Sequence, residues 1–297
     1  MADAVTTASI SAPAKVNLFL RVFDARPDGY HELETLFQAI DLADDVRVER
    51  RATRVELEVV GADLGPKDAN LAYRAAARLL EQGGIDGGLA VILTKRIPVG
   101  AGLGGGSSDA AAVLRCGAAL VGIPAEAPLL NRLAAELGSD VPFFLGPDPI
   151  ALGRGRGEVL EGIPPLPAAN LVLVTPPVHV STAWAYRALD DARRSGGAGG
   201  GAALSGRPRG WADVAAMAHN DFQRVVAAAH PEVARSLEAL IEAGAEWALL
   251  SGSGSASFGL FSDGLAAERA AEELTNELGW LCRAVRTLSA LPAPRLG

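Results

Sequence analysis

The sequence predicts an α+β protein of two domains, and three observations support this prediction. Its 297 residues suffice for one large domain or two ordinary ones. In the first half, predicted strands lead into a glycine-rich loop and then a helix, as in an α/β domain. In the second half, the predicted order is strand, helices, hairpin, helix and strand, as in a ferredoxin-like unit. We therefore predict an N-terminal α/β domain at residues 1–166 and a C-terminal ferredoxin-like domain at residues 167–297.

The elements of the N-terminal domain follow from apolar periodicity and from helix end signals. Period-two or β-rich runs predict strands at 8–23, 45–60 and 89–97. Apolar residues at helical spacing or strong helix formers predict helices at 70–84, 109–120 and 128–137. Ser107, Ser108 and Asp109 are the candidates for the cap and first turn of the second helix. Residues 137–163 are rich in glycine and proline, so we predict an irregular segment there.

The elements of the C-terminal domain begin after the connector at 163–170. The sequence predicts a buried strand at 171–178, a short helix at 181–192, helices at 211–229 and 231–244, a hairpin at 246–262, a helix at 265–278 and a strand at 281–288. Ser181 or Thr182 is predicted to cap the first of these helices. Residues 195–209 are of low complexity, and we interpret them as a mobile surface insertion, with a functional lid as the alternative.

Composition limits the class of protein. The chain is 49% hydrophobic and 21% charged, with a formal net charge of −8 and a pI near 5.1. This balance argues against nucleic acid or an anionic membrane as the main partner, although it does not exclude ATP. Cys116 and Cys282 are interpreted as buried structural thiols. The first ten residues lack a basic start and an apolar core, and no apolar run is long enough to span a bilayer, so we expect a cytoplasmic protein.

The glycine-rich loop at residues 98–108 predicts an anion-binding site. Glycine permits positive φ and close approach of a ligand, and the helix that follows presents unpaired N–H groups with the positive end of its dipole. A flexible surface loop is the less favoured alternative. No lysine follows the glycines, so the P-loop pattern does not match. A dinucleotide pattern matches formally, but residues 122–138 predict a turn and a second helix where a strand should follow.

The loop resembles the second motif of the GHMP kinases, which are small-molecule kinases. Its pattern is P-x-x-x-G-L-G-G-G-S-S, and in that family this loop wraps the phosphates of ATP. The resemblance therefore assigns ATP binding to Pro98, Val99, Gly100, Ala101, Gly102, Leu103, Gly104, Gly105, Gly106, Ser107 and Ser108. It also implies the family's two-domain fold and a need for Mg²⁺. Ser107 or Ser108 would touch phosphate or magnesium, and no residue is assigned as a metal ligand.

Phosphoryl transfer needs positive charge and a proton acceptor, and two residues stand in unusual settings. Lys15 lies inside an apolar strand directly after Pro13 and Ala14, where an outward-facing lysine is an equally good interpretation. Asp140 lies beside an apolar Val-Pro-Phe-Phe run, where a turn or cap aspartate is the alternative. The segments around both residues resemble one branch of the GHMP kinases. That resemblance implies that Asp140 accepts the proton of the substrate hydroxyl while Lys15 orients it and stabilises developing charge.

That branch phosphorylates the 2-hydroxyl of 4-diphosphocytidyl-2-C-methyl-D-erythritol (CDP-methylerythritol), in the non-mevalonate route to isopentenyl diphosphate. Residues 26–44 carry the most specific resemblance, because their Asp-Gly-Tyr-His segment implies recognition of cytidine by Tyr30 and His31. A hairpin corner with a packed tyrosine is the alternative. The resemblance assigns Tyr186 as the second aromatic that sandwiches the base, and Asn17 is expected to contact polar groups of the substrate.

Two other functions remain as alternatives. A homoserine or mevalonate kinase would keep the fold with another substrate, and a nucleotide-binding regulator would keep the fold without catalysis. The absence of the Asp-Gly-Tyr-His segment from those kinases argues against the first alternative. The presence of both Lys15 and Asp140 argues against the second. The turn at 252–254 is expected to fold back against the active site, and Gln223 stands where the resemblance leads us to expect an acidic residue.

Overall fold

A computed structural model of the chain describes residues 6–26, 29–196, 204 and 206–297. Its strands are β1 (Thr7–Ala25), β2 (His31–Arg51), β3 (Glu56–Val60), β4 (Gly88–Thr94), β5 (Ile150–Arg154), β6 (Val159–Gly162), β7 (Asn170–Thr175), β8 (His219–Asn220), β9 (Trp247–Leu250), β10 (Ser257–Phe261), β11 (Leu281–Arg286) and β12 (Arg295–Leu296). Its α-helices are α1 (Leu71–Gly83), α2 (Gly105–Val121), α3 (Pro128–Leu137), α4 (Val141–Leu145), α5 (Thr182–Arg194), α6 (Trp211–Met217), α7 (Asp221–Ala229), α8 (Pro231–Glu242) and α9 (Gly264–Leu278).

The N-terminal sheet is built around the long antiparallel pair β1 and β2. Its main path runs β12-β1-β2-β4-β3, and β5, β6 and β8 attach beside it. Helices α1, α2, α3 and α4 bury their apolar sides with this sheet in a core that includes Val48, Leu79, Val91, Val113 and Leu133. Because α2 packs against β1 and β2, the loop that precedes α2 is held against the middle of the sheet.

The prediction of an irregular segment at 137–163 is wrong. This stretch contains α4 and the hairpin of β5 and β6, and β5 pairs with β2 through Thr35 and Gly153. The elements are only four or five residues long, and the first four residues of β5 are all buried, so no period-two pattern is visible. Gly153 is required by packing, because a Cβ there would lie 2.9 Å from the Phe37 ring. In the sequence this glycine looks like a turn residue, although it lies inside β5.

The C-terminal sheet confirms the predicted fold class. Its order is β11-β7-β10-β9, all antiparallel, so its strands stand as fourth, first, third and second in chain order. This is the ferredoxin-like arrangement. Helices α8 and α9 pack on it around Val174, Leu240 and Leu274. A further apolar cluster, which includes Leu18, Ile40 and Phe258, joins the two sheets.

The predicted helix at 211–229 is wrong in one respect, because the chain breaks into α6 and α7 with β8 between them. In β8, His219 and Asn220 pair in parallel with Phe19 and Leu20 of β1. The Asn220 side chain caps α7 by accepting from the N–H of Phe222, and it donates to the carbonyls of Leu250 and Gly252. These long-range bonds stabilise the break, and nothing in the local periodicity indicates them.

The boundary predicted between residues 166 and 167 falls between β6 and β7, in a stretch without helix or strand. It stays a prediction, and both β8 and β12 from beyond it join the N-terminal sheet. Most of the predicted insertion, at 197–203 and 205, lies outside the described residues. No helix within the described ranges has the length and hydropathy needed to cross a bilayer.

Candidate active site

The glycine-rich loop connects β4 to α2, and α2 begins earlier than the sequence predicts. Gly104 occupies the N-cap position with φ of 72°, and its carbonyl accepts from the N–H of Ser108 at 2.9 Å. Of the three candidates for the cap and first turn, Ser107 and Ser108 lie in the first turn, as predicted, and Asp109 follows it. None of the three is the cap, so that part of the prediction is wrong. Two glycines of low helix propensity open the helix, which is why its start is hidden in the sequence.

Two loop glycines are required by neighbouring protein atoms. A Cβ on Gly102, whose φ is 78°, would lie 2.1 Å from the carbonyl oxygen of Ser251 in the turn after β9. A Cβ on Gly104 would lie 3.0 Å from Cγ of Lys15. The same turn binds the loop directly, because the Ser251 hydroxyl donates to the Gly102 carbonyl at 3.0 Å and the Ala256 N–H donates to the Ala101 carbonyl at 3.1 Å. The turn at 252–254 thus reaches the site, as predicted.

The loop separates two cavities. The loop cavity, of about 320 Å³, is lined by Leu64, Asn70, Leu71, Lys95, residues 98–107 and Asp109. The acceptor cavity, of about 300 Å³, is lined by Lys15, Asn17, Asp140 and Tyr186 among others. Both cavities are lined by Gly102, Gly104 and Ser107. A group held by the loop therefore lies next to whatever occupies the acceptor cavity.

Lys15 is buried at the wall between these cavities, with 3% of its surface exposed. Its Nζ donates to Oδ1 of Asn17 at 2.6 Å and to the Gly102 carbonyl at 2.8 Å, and it lies 3.7 Å from Oδ2 of Asp140. Burial lowers the pKa of Lys15, and the charge of Asp140 opposes this shift. The predicted pair of Lys15 and Asp140 is thus brought together.

Asn17 connects Lys15 to a residue that the sequence did not single out. The Asn17 amide nitrogen donates to the hydroxyl of Thr35 at 2.8 Å, and that hydroxyl donates to the Phe19 carbonyl at 2.8 Å. Asn17 lines the acceptor cavity, yet both ends of its amide are engaged within the protein. Its contact with substrate stays a prediction, and the structure adds that it orients Lys15. The sequence signal that could have identified Thr35 is a polar residue within the apolar stretch that forms β2.

Asp140 directly precedes α4, but its side chain does not cap that helix. The carboxylate is 28% exposed and faces the acceptor cavity. Its neighbours in that cavity are Gly138 and Ser139, which are small, and the wall opposite carries Lys15. Because Asp140 stands at the start of α4, its sequence context resembles that of a capping aspartate. Its side chain points into the cavity instead, which leaves the carboxylate available to a ligand.

A second buried lysine was missed by the sequence interpretation. Lys95 forms ion pairs with Asp44 and with Asp109, the latter at 2.7 Å, and the other oxygen of Asp44 accepts from the N–H groups of Arg96 and Ile97. Burial raises the pKa of Asp109 to about 7, with Lys95 opposing and Asp44 adding to the shift. Burial lowers the pKa of Lys95, but its two carboxylates outweigh this and raise it. Lys95 and Asp109 of this group line the loop cavity.

The residues expected to recognise cytidine lie where β1 turns into β2. Pro27 and Asp28 are outside the described residues, and Gly29 follows them with φ of 83°. Tyr30 is 55% exposed, and the guanidinium of Arg156 lies 5.1 Å from its ring centroid. His31 is buried, and its ring stacks on that of Tyr186 at 5.1 Å.

Tyr186 connects this region to the acceptor cavity. Its ring also contacts Phe222 edge-on at 4.9 Å, and burial, with Asp140 adding, raises the pKa of Tyr186 to about 12. Tyr30, His31 and Tyr186 share a third cavity of about 640 Å³, here called the hairpin cavity. Both Tyr186 and Ser139 line the hairpin and acceptor cavities, so the two are neighbours. Stacking of a base between Tyr30 and Tyr186 stays a prediction.

The remaining residues that the sequence singled out have structural contacts. Gln223, where an acidic residue was expected, accepts from the Leu250 N–H at 2.9 Å through its amide oxygen, so this contact does not need a carboxylate. Cys116 and Cys282 are buried free thiols, as predicted. Within the part of the chain that the structure describes, no group of three His, Cys, Asp or Glu residues could hold a metal ion.

Comparison with known proteins identifies the family. Residues 70–146 match the GHMP kinases N terminal domain, and residues 202–279 match the GHMP kinases C terminal domain. The chain is 42% identical over 283 residues to 4-diphosphocytidyl-2-C-methyl-D-erythritol kinase of Geobacter sp. (strain M21), an alignment that covers 93% of this chain and 98% of that one. The chain belongs to the GHMP kinases. As a GHMP kinase it is a small-molecule kinase that uses ATP, and the family predicted from the loop is confirmed.

Other GHMP kinases support the same placement. The chain is 45% identical over 276 residues to the enzyme of that name from Solibacter usitatus, covering 90% of this chain and 85% of that one. A crystal structure of 4-(cytidine 5'-diphospho)-2C-methyl-D-erythritol kinase superposes with a TM-score of 0.75 at 38% identity, covering 94% and 98%. A homoserine kinase from Cytophaga hutchinsonii superposes at 0.65 with 19% identity, covering 100% and 99%, and shows the shared fold alone.

Proposed function

We propose that this GHMP kinase transfers the γ-phosphoryl group of ATP to the 2-hydroxyl of CDP-methylerythritol, in the non-mevalonate route to isopentenyl diphosphate. The observation that carries the proposal is the Lys15–Asp140 pair in a cavity that shares Gly102, Gly104 and Ser107 with the loop cavity. The choice of CDP-methylerythritol as substrate rests on two observations. The relatives described above are named 4-diphosphocytidyl-2-C-methyl-D-erythritol kinase, and the chain carries the Tyr30–His31 segment.

The loop would hold the triphosphate. Its backbone N–H groups would donate to the phosphate oxygens, and the N-terminus of α2 would add the positive end of the helix dipole. Since Gly102, Gly104 and Ser107 line both cavities, a γ-phosphate at these residues lies beside the acceptor. Phosphoryl transfer depends mainly on such positioning and on electrostatic stabilisation.

Asp140 would act as the general base and Lys15 as the orienting cation. An ammonium group has three N–H donors, and two of those of Lys15 go to Asn17 and Gly102. The gap of 3.7 Å to Asp140 leaves the third donor for the substrate hydroxyl, whose proton the carboxylate accepts. The positive charge of Lys15 then stabilises the developing negative charge in a poorly solvated site.

The residues at the start of α2 fit a magnesium ion. The Ser108 hydroxyl is buried and has no hydrogen-bond partner within the described residues, and Ser107 lines both cavities. Hydroxyl and phosphate oxygens are ligands that Mg²⁺ accepts. These two serines would hold the ion together with the phosphates. When bound, Mg²⁺ neutralises charge on the β- and γ-phosphates.

The experiment is an assay of ADP release from ATP and magnesium with three alcohols: CDP-methylerythritol, homoserine and mevalonate. We expect turnover with CDP-methylerythritol only. Turnover with either other alcohol would assign a different substrate to the same fold. ATP binding without turnover on all three would instead favour the nucleotide-binding regulator.

A further inference from the structure

The hairpin cavity presents an acidic side chain beside the histidine expected to recognise the base. Asp190 lies on α5, one turn after Tyr186, and both residues line this cavity with His31. Oδ2 of Asp190 is 3.3 Å from Nε2 of His31. The cavity wall therefore carries a ring nitrogen and a carboxylate side by side.

Both ring nitrogens of His31 have partners within the protein. Its Nδ1 lies 2.8 Å from the carbonyl oxygen of Phe23, and its Nε2 faces the carboxylate of Asp190. The hydrogen-bonding group left for a ligand is therefore the carboxylate. Asp190 offers an acceptor to the cavity, because a carboxylate has about four lone-pair sites and the contact with His31 occupies one of them.

An acceptor in this cavity wall is complementary to one pyrimidine. Cytosine carries an exocyclic amine, which donates. Uracil places a carbonyl oxygen where cytosine has the amine, and this oxygen would face the carboxylate. Resting on the proposed function, we propose that Asp190 accepts a hydrogen bond from the cytosine amine and thereby selects the cytidine compound over its uridine counterpart.

The rest of the cavity suits a pyrimidine nucleoside diphosphate. Tyr30 and Tyr186 supply aromatic surface for a base, and Arg156 and Arg187 supply positive charge for a diphosphate. A volume of about 640 Å³ is in the ordinary range for small-molecule sites. Because Ser139 and Tyr186 also line the acceptor cavity, a base beside Asp190 leaves the attached polyol to extend toward Asp140.

The test compares kcat/KM for CDP-methylerythritol and UDP-methylerythritol in the wild type, in Asp190→Asn and in Asp191→Asn. Asp191 is a matched control on the same helix, because its side chain is 70% exposed and pairs with Arg194. We expect a cytidine preference on the order of 10- to 100-fold in the wild type and in the control. Asparagine can donate or accept, so Asp190→Asn should reduce the preference about tenfold or more, with KM for ATP unchanged.

Two results would overturn the assignment of Asp190. One is an unchanged cytidine-to-uridine ratio in Asp190→Asn, including the case where both substrates lose activity equally, since a structural role predicts that loss. The other is equal affinity of the wild type for CDP and UDP in calorimetry, a measurement that needs no variant and no turnover. A wild type that binds CDP selectively but does not phosphorylate CDP-methylerythritol would contradict the proposed function and leave the role of Asp190 supported.

Discussion

Two lysines with buried side chains flank the glycine-rich loop, and they differ in how completely their charge is compensated. Lys15 has one carboxylate, that of Asp140, at 3.7 Å, and its other contacts are neutral oxygens. Lys95 has two carboxylates, those of Asp44 and Asp109, within hydrogen-bond distance. The pKa of Lys15 is lowered, chiefly by burial, whereas the carboxylates raise that of Lys95.

Under the proposed function, the difference separates a reactive group, Lys15, from an anchor, Lys95. A buried charge that its neighbours compensate only in part gains most from an anionic ligand, and Lys15 is in this position at the acceptor cavity. The charge of Lys95 is already satisfied, and through Asp44 it fixes the backbone at Arg96 and Ile97, where the chain enters the loop. Burial of a lysine near the glycine-rich loop is therefore not sufficient to infer catalysis.

The largest expected effect is on kcat, and it distinguishes Asp140, the partner of Lys15, from Asp109, a partner of Lys95. Asp140→Asn should lower kcat by about 10²- to 10⁴-fold, because the amide cannot accept the hydroxyl proton, while ATP binding is retained. Asp109→Asn should lower kcat far less, because Asp109 does not line the acceptor cavity. ADP release and nucleotide titration measure both quantities. Normal kcat in Asp140→Asn would refute its assignment as the base.

The next effect concerns stability. Lys95→Met leaves the buried carboxylate of Asp44 without its cation and removes the donor to Asp109, so it should lower the free energy of unfolding by about 3–5 kcal/mol. Lys15→Met should destabilise less, because its partner Asp140 is partly exposed and can be hydrated. Urea denaturation of the two variants makes the comparison. A larger loss in Lys15→Met than in Lys95→Met would contradict the distinction between anchor and reactive group.

The smallest effect concerns the pH dependence of stability. The folded protein keeps the Asp109 proton up to about pH 7, whereas the unfolded chain releases it near the ordinary value of 3.8. The stabilisation from this proton is therefore complete below about pH 4 and is lost as pH rises through 7. Between pH 5 and pH 8, the wild-type Tm should fall more than the Tm of Asp109→Asn. Thermal unfolding at both pH values measures this, and equal falls would mean that Asp109 does not titrate there.

Site residues could be predicted from the sequence where they lie in a recognisable short motif. Lys15, Asp140 and the loop each stand in a distinctive segment, and the structure brings them together as predicted. The group of Asp44, Lys95 and Asp109 was missed, because its members are 51 and 14 residues apart and each resembles an ordinary charged residue at a strand or helix end. Such pairing depends on how the sheet and α2 meet, which no local pattern encodes.

The fold was predicted best where elements are long and periodic. The strand β1 and the helices α1 and α9 follow from apolar spacing and helix end signals. The predicted strand at 45–60 covers only the end of β2 and merges it with β3. The short hairpin of β5 and β6 and the break at β8 were missed, because distant partners stabilise them. β5 depends on its pairing with β2, and β8 depends on its pairing with β1. Tertiary contacts thus decide those elements that are too short to carry a period.

The tie between Gly102 and the turn after β9 has a consequence for recombination within the family. The Gly102 carbonyl accepts from Lys15 on one side and from Ser251 on the other, so one peptide bond joins β1, the glycine-rich loop and the turn after β9 of the second sheet. A chimera that takes its first half from one GHMP kinase and its second half from another must match this three-way junction. Crossover points that inherit residues 98–108 and 250–256 from the same parent preserve it.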